Sequence, residues 1–197
     1  MRNLIIVLSL FALTACSAPM GVQRVNTNKT TDLSGRWNDT DARLVADEMI
    51  TDLVNSGWLE TFRSDNDKNP IVIIGNVRNA SMEHIDTDVF TKDLEREMIN
   101  LGRITFVASP EERRQIRNER QDQQDYSSFD SAKRLANELG ADFMMIGNIS
   151  SIIDKAGGQA AVFYTVNLEL INVENNTKVW IGNKKIKKLV DRAKLKM

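Results

Sequence analysis

Apolar residues recur along the chain at two different periods, and the switches between them divide it into elements. Leu44, Val45, Met49, Leu53 and Val54 fall three and four residues apart, the spacing of one helical face, with Asp39 or Thr40 as N-cap and early acids at the positive end of the helix dipole. Gly57 interrupts that face. Trp58, Leu59 and Phe62 then predict a short turn on the same core, and residues 65–70, rich in Asp and Asn and ending in Pro70, have the composition of a loop. Ile71, Val72, Ile73 and Ile74 are apolar without alternation, which predicts a strand buried on both faces that gives way to polar residues at 75–79. Thr87 or Asp88 caps a second helix with Phe90, Leu94, Met98 and Leu101 on one side and Gly102 as its stop. Residues 103–108 form the next strand. From Pro110 to Asp125 a helix is polar nearly all round, so it either carries a lattice of charge pairs or orders against something else. Asp130 caps a further helix with Ala132, Leu135, Ala136 and Leu139 inward, and residues 142–150 are a second doubly apolar strand.

Beyond Gly157 and Gly158 the period becomes two. Val162, Tyr164, Val166, Leu168 and Leu170 alternate with Thr165, Asn167 and Glu169, the pattern of a half-exposed antiparallel strand. Glu174, Asn175, Asn176 and Thr177 turn the chain, and residues 178–182 return it. The expected fold is α/β (α+β): a single mixed β-sheet flanked by α-helices and ending in an antiparallel hairpin.

Ahead of all this, Arg2 and an uncharged apolar run from Leu4 to Ala15 lead into Cys16, the one cysteine of the chain. The run is too short to span a bilayer, and its flanks are those of a secretory signal peptide. Leu13-Thr14-Ala15-Cys16 also resembles the bacterial lipobox, which implies cleavage before Cys16 and lipid attachment at its sulfur. The plain alternative is a signal peptide with a coincidental cysteine. Ser17, rather than an aspartate, implies sorting to the outer membrane, anchored on its periplasmic face. Residues 1–15 are thus read as a lipoprotein signal peptide, 16–34 as a lipidated flexible tether rich in Asn, Thr and Ser, 35–190 as one globular domain and 191–197 as a basic tail.

A formal net charge of −1 conceals an asymmetry: from Lys184 to the end there are seven Lys or Arg and one Asp, while residues 16–183 carry 18 basic and 26 acidic side chains. A basic end on an acidic body suits anionic lipid, the wall polymer or an acidic partner; the plain reading is a solvated terminus.

Reactive chemistry is scarce. His84 is the only histidine, and with Cys16 lipidated no thiol remains for a zinc cluster, a Cys-His dyad or a disulfide. Ser81, His84 and Asp86 share one loop, too close in sequence for the geometry of a proton relay. No phosphate-binding loop, dinucleotide motif or basic stripe interleaved with aromatics is present, so catalytic residues, metal, cofactor and nucleic acid are all expected to be absent. Function then falls to a surface. Arg113, Arg117 and Arg120 share one helical face and lead to Tyr126 and Phe129, the composition of a binding hot spot; the alternative is a charged helix with two rings folded back on the core. Trp37 and Trp180 read first as packing residues and second as contacts.

Taken together, Arg36-Trp37-Asn38 before an amphipathic helix, Asn79-Ala80-Ser81 after the first strand, the run from Gly102 to Val107, Leu139-Gly140-Ala141-Asp142 and Thr177-Lys178-Val179-Trp180 resemble the LpoB-type penicillin-binding protein activator lipoproteins over residues 35–188. The resemblance implies a fold similar to the N-terminal domain of TolB. It also implies a non-enzymatic outer-membrane lipoprotein, a monomer, that binds a bifunctional class A penicillin-binding protein and stimulates peptidoglycan synthesis. Enterobacterial members carry a long proline-rich tether, whereas this chain has eighteen polar-rich residues there, which reach at most about 60 Å, and three prolines in total. An alternative function is an accessory lipoprotein of an outer-membrane secretion assembly with a CsgG-related core. A wall hydrolase is a third, although no pair of carboxylates is marked out for it.

Overall fold

Asn38, one residue ahead of the expected caps, starts the first helix of the computed structural model, which describes residues 21–126 and 140–191, with side chains given through Gln121 and from Gly140. Its side-chain oxygen accepts from Asp41 N at 3.1 Å, and Asp41 Oδ2 accepts from Asn38 N at 3.0 Å, a reciprocal capping box. Helix α1 (Asp39–Asn55) buries Val45, Ala46, Met49, Ile50 and Leu53. Leu44, expected on that face, is exposed, because the buried stripe runs through positions 42, 45, 46, 49, 50 and 53. Past Gly57 the chain forms a nine-residue helix, α2 (Trp58–Asn66), rather than a turn. Trp58 Nε1 donates to the Leu53 carbonyl at 2.9 Å and its ring meets Phe143, so the packing carries the helix through Asp65 and Asn66, where composition predicts loop. Asp67, left-handed at φ 50°, ends it.

Strand β1 (Ile71–Ala80) runs beyond its apolar quartet, with an irregularity between Ile74 and Val77, because the polar residues still pair with a neighbour. Helix α3 (Thr87–Asn100) is capped by Asp86, not by Thr87 or Asp88, and buries Phe90, Leu94 and Met98; Leu101, just past its end, is exposed. Strand β2 shrinks to Thr105–Phe106, and α4 (Pro110–Tyr126) follows. The helix expected to start at Asp130 lies outside the described residues. Three fourteen-residue strands complete the fold: β3 (Phe143–Ala156), β4 (Gln159–Asn172) and β5 (Lys178–Asp191).

The sheet has the order β2-β1-β3-β4-β5, with β1 parallel to both its neighbours and β3, β4 and β5 an antiparallel meander. This is the mixed sheet the sequence predicts, with β3 and β5 much longer than their apolar patterns. The far end of β3 holds mainly by backbone pairing: Ile152, Asp154 and Lys155 are exposed, yet each has a partner in β4. Gly157 and Gly158, at φ 57° and 86°, make the turn that an L side chain disfavours. Helices α1, α2 and α3 share one core with Val72, Ile74, Phe143, Met145 and the alternate residues Val162 to Leu170. Each large aliphatic or aromatic side chain buried there contributes about 1.5–3 kcal/mol. β1 is buried on both faces, Ile73 included, but β3 is not: Met144 is 38% exposed.

Candidate functional site

The polar helix α4 is launched by a second capping box. Ser109 N donates to Glu112 Oε2 at 2.8 Å and Glu112 N donates to Ser109 Oγ at 3.3 Å, with Pro110 as the first helical residue. Lys92 of α3 bridges Glu95 and Glu112 at 2.7 Å each, which ties the start of α4 to the body. The Lys92 ammonium and the Ser109 amide hold the Glu112 carboxyl down at about 2. A depressed folded-state value contributes stability that is present above the unfolded glutamate range and lost as pH falls through about 2. The start of α4 is therefore expected to loosen between about pH 4.5 and 2, read as faster hydrogen exchange at the Arg113 amide, which bonds the Ser109 carbonyl at 2.8 Å. Glu112→Ala is expected to produce that loosening at neutral pH and to cost about 1 kcal/mol in denaturant unfolding.

This anchoring lays Arg113 half-buried beside an open groove lined by Ile73, Gly75, Asn76 and Met144, with its Nε buried and without a hydrogen-bond partner among the described residues. Arg117 and Arg120 follow on the helix, the first exposed and the second half-buried, and neither lacks a partner. Tyr126 is the last residue of α4; its side chain, Phe129 and Cys16 lie outside what is described. Of the five proposed contact residues, Arg113 is the one seen to line a groove with β1 and β3 among the described residues. The helix is not polar all round, since Ile116 borders a second groove with Ile99 and Phe106.

A polar cluster around the buried Asp41, which sequence reading misses, fastens the segment ahead of α1 to β5. Lys188 of β5 donates to Asp41 Oδ2 at 2.6 Å, Asp32 Oδ1 at 2.7 Å and the Arg36 carbonyl at 3.1 Å, which uses all three ammonium protons. Burial opposes the Lys188 charge, but its two carboxylate partners hold it above the ordinary lysine range. Lys188 in turn depresses Asp32, whereas burial pushes Asp41 up against the same lysine's pull. Beside this cluster, Tyr164 OH donates to Glu83 Oε1 at 2.7 Å and lies 3.1 Å from the Gly35 carbonyl, while Glu83 Oε2 accepts from Trp37 N at 3.1 Å. Burial and then Glu83 raise the phenol above the ordinary tyrosine range. Trp37 packs edge-on to Phe90 and Tyr164, the stapling role its position predicts. Trp180 is likewise a packing residue, buried and donating to Asp52 Oδ2 at 2.9 Å. Lys184 pairs with Glu48, so much of the cationic stretch that begins at Lys184 is strand rather than solvated terminus.

Ser81, His84 and Asp86 are spent separately. The Ser81 hydroxyl donates to Asn79 Oδ1 at 2.7 Å, Asp86 caps α3 and His84 is exposed. Among the described residues no three His, Cys, Asp or Glu side chains gather as a metal site, and no helix is long and apolar enough to cross a membrane.

Similar folds occur in the C-terminal domains of LpoB from Escherichia coli (16% identity, 75% of this chain and 99% of that one covered, TM-score 0.46) and from Salmonella enterica (15% identity, 77% and 99% covered, TM-score 0.43). Lipoprotein GNA1162 from Neisseria meningitidis is a more distant likeness, at 10% identity, 64% and 88% coverage and a TM-score of 0.38. No curated protein sequence matches the chain. The family model of the peptidoglycan-synthase activator LpoB matches residues 41–186, from the α1 capping box to the middle of β5, and the chain belongs to that family.

Proposed function

We propose that the chain is an outer-membrane lipoprotein, anchored through Cys16 on the periplasmic face, that binds a class A penicillin-binding protein and stimulates it without performing chemistry of its own. The observation that carries this reading is the family match across residues 41–186. An activator of this kind works by binding the active conformation of its partner more tightly than the inactive one. The proposed docking face is the arginine side of α4, Arg113, Arg117 and Arg120, together with Tyr126 and Phe129 that follow in sequence. The leash is shorter than its composition suggests. Thr31 N bonds Thr40 Oγ1 at 3.4 Å and Asp32 bonds Lys188, so the chain joins the body near Thr31. Fifteen residues from Cys16 reach at most about 50 Å, and the synthase must meet the domain within that distance plus the body's own width.

Purified domain mixed with a class A synthase from the same cell is expected to form a complex and to raise the rate of glycan polymerisation. No complex and no rate change together would remove the reading. Reversing Arg113, Arg117 and Arg120 to Glu is expected to abolish the complex while the melting curve stays in place; binding that persists would move the docking face elsewhere.

A further inference from the structure

At the end of the sheet where β3 begins, α2 and the β4–β5 turn enclose an open pocket of about 710 Å³. One wall is α2, with Trp58, Phe62 and Asp65; the other is the turn, with Val173 and Glu174. Its floor is aromatic: Phe143 lies 5.1 Å from the Trp58 ring and 5.2 Å from Phe62, both edge-on. Three carboxylates line it, Asp65, Asp142 and Glu174, and among the described residues that line it none is basic. Asp142 is already engaged, accepting from Ile71 N at 2.8 Å and from Lys68 Nζ at 3.1 Å. Asp65 and Glu174 are exposed and have no ion pair among the described residues.

Neither free carboxylate serves the fold. Asp65 sits in the last turn of α2, at the negative end of the helix dipole, where an acid is unfavourable. Glu174 stands on a turn held rigid without it: Asn172 Oδ1 accepts from the amides of Glu174 and Asn175 at 2.9 and 3.1 Å, Asn175 Oδ1 accepts from Thr177 N at 3.0 Å, and Val173 N donates to the Asp142 carbonyl at 3.0 Å. The walls are therefore set before anything binds, which lowers the entropic cost of occupation. The chain itself displays the chemistry that suits the place. Lys68 holds its ammonium on Asp142 and 5.6 Å from the centre of the Phe62 ring, a cation between a carboxylate and an aromatic face.

We infer that this pocket receives an arginine side chain of a partner protein, the guanidinium set over the aromatic floor and forked between Asp65 and Glu174. A planar guanidinium satisfies a ring and two carboxylates at once, which a compact ammonium does not, and arginine is among the residues that dominate interface energetics. The site is separate from the arginine face of α4 and opposite to it in charge.

Titrating the isotopically labelled chain, residues 17–197, with N-acetyl-arginine amide tests this by NMR. Saturable shifts are expected at the Glu174 amide and the Trp58 indole, about fivefold weaker binding for the lysine analogue, and none for the citrulline analogue, which keeps the shape of arginine and loses its charge. Asp65→Asn with Glu174→Gln is expected to weaken arginine binding about tenfold without lowering the melting point, since neither carboxylate is paired and Asp65 opposes the α2 dipole. Equal shifts with citrulline, non-saturating shifts spread over the acidic surface, or undiminished binding by the double variant would each overturn the inference. Because no synthase enters this titration, its failure leaves the activator reading standing, and a synthase null leaves the pocket standing.

Discussion

Replacing Lys188 by methionine is expected to lower the unfolding free energy by about 3 kcal/mol, the cost of breaking a buried ion pair from one side. Methionine preserves most of the side chain's volume, so the loss is electrostatic: Asp41, buried with its side chain 6% exposed, is left with Asn38 and no counter-charge. The pH dependence separates this cause from mere mispacking. Without Lys188, burial raises the folded-state value of Asp41 further above its unfolded one, so the variant's deficit is present at neutral pH and shrinks as acid protonates the carboxyl. Asp41→Asn in the same chain is expected to recover much of the loss, and four denaturation curves, wild type, two singles and the double, measure the coupling. Strict additivity would sink the account. The cluster also fastens Asp32 and Arg36, so the Trp37 amide is expected to exchange faster in the Lys188→Met chain.

Trp180→Ala is expected to destabilise by about 3–5 kcal/mol, the range for deleting a large aromatic from a core. The indole lies back over Gly182, where a Cβ would come within 2.3 Å of two ring carbons, and its N–H bridges to Asp52 of α1. Removing it opens a void between α1 and β5 and leaves Met49 without its neighbour. Trp180→Phe keeps part of the packing and is expected to cost less, while Gly182→Ala is expected to cost about 1–3 kcal/mol by forcing the ring out of place. These are measured by chemical unfolding. A Trp180→Ala chain that melts like wild type but fails to bind a synthase would make the tryptophan a contact residue instead.

Legibility in the sequence followed burial. Ile71 to Ile74 mark a strand because all four are buried on one face or the other or nearly so, and Phe90, Leu94 and Met98 mark a helix because one stripe alone meets the core. Where pairing goes on without burial, the pattern is silent. Past Ser150, β3 offers exposed side chains to solvent and keeps only its backbone bonds, and Lys184 to Asp191 has the composition of a tail although it is the far half of β5. Helix boundaries moved by one residue for a local reason: Asn38 and Asp86 cap where their neighbours do not, because their side chains reach the second or third amide ahead. The arginine spacing on α4 is legible, but that Lys92 ties the helix to α3 and lays Arg113 over a groove is not, since Lys92 and Glu112 lie on different elements.

By itself the sequence determined the class of fold, the order of its elements, the packing roles of Trp37 and Trp180 and the family resemblance, all of which depend on local periodicity or on short motifs. Only the tertiary structure decided which charges are structural and which are available. Lys188 meets Asp41 across 147 positions of chain, and Asp65 and Glu174 line one pocket, because the fold brings distant segments together. Side-chain identity states that a charge exists; the counter-charge beside it, or the want of one, is a property of the fold.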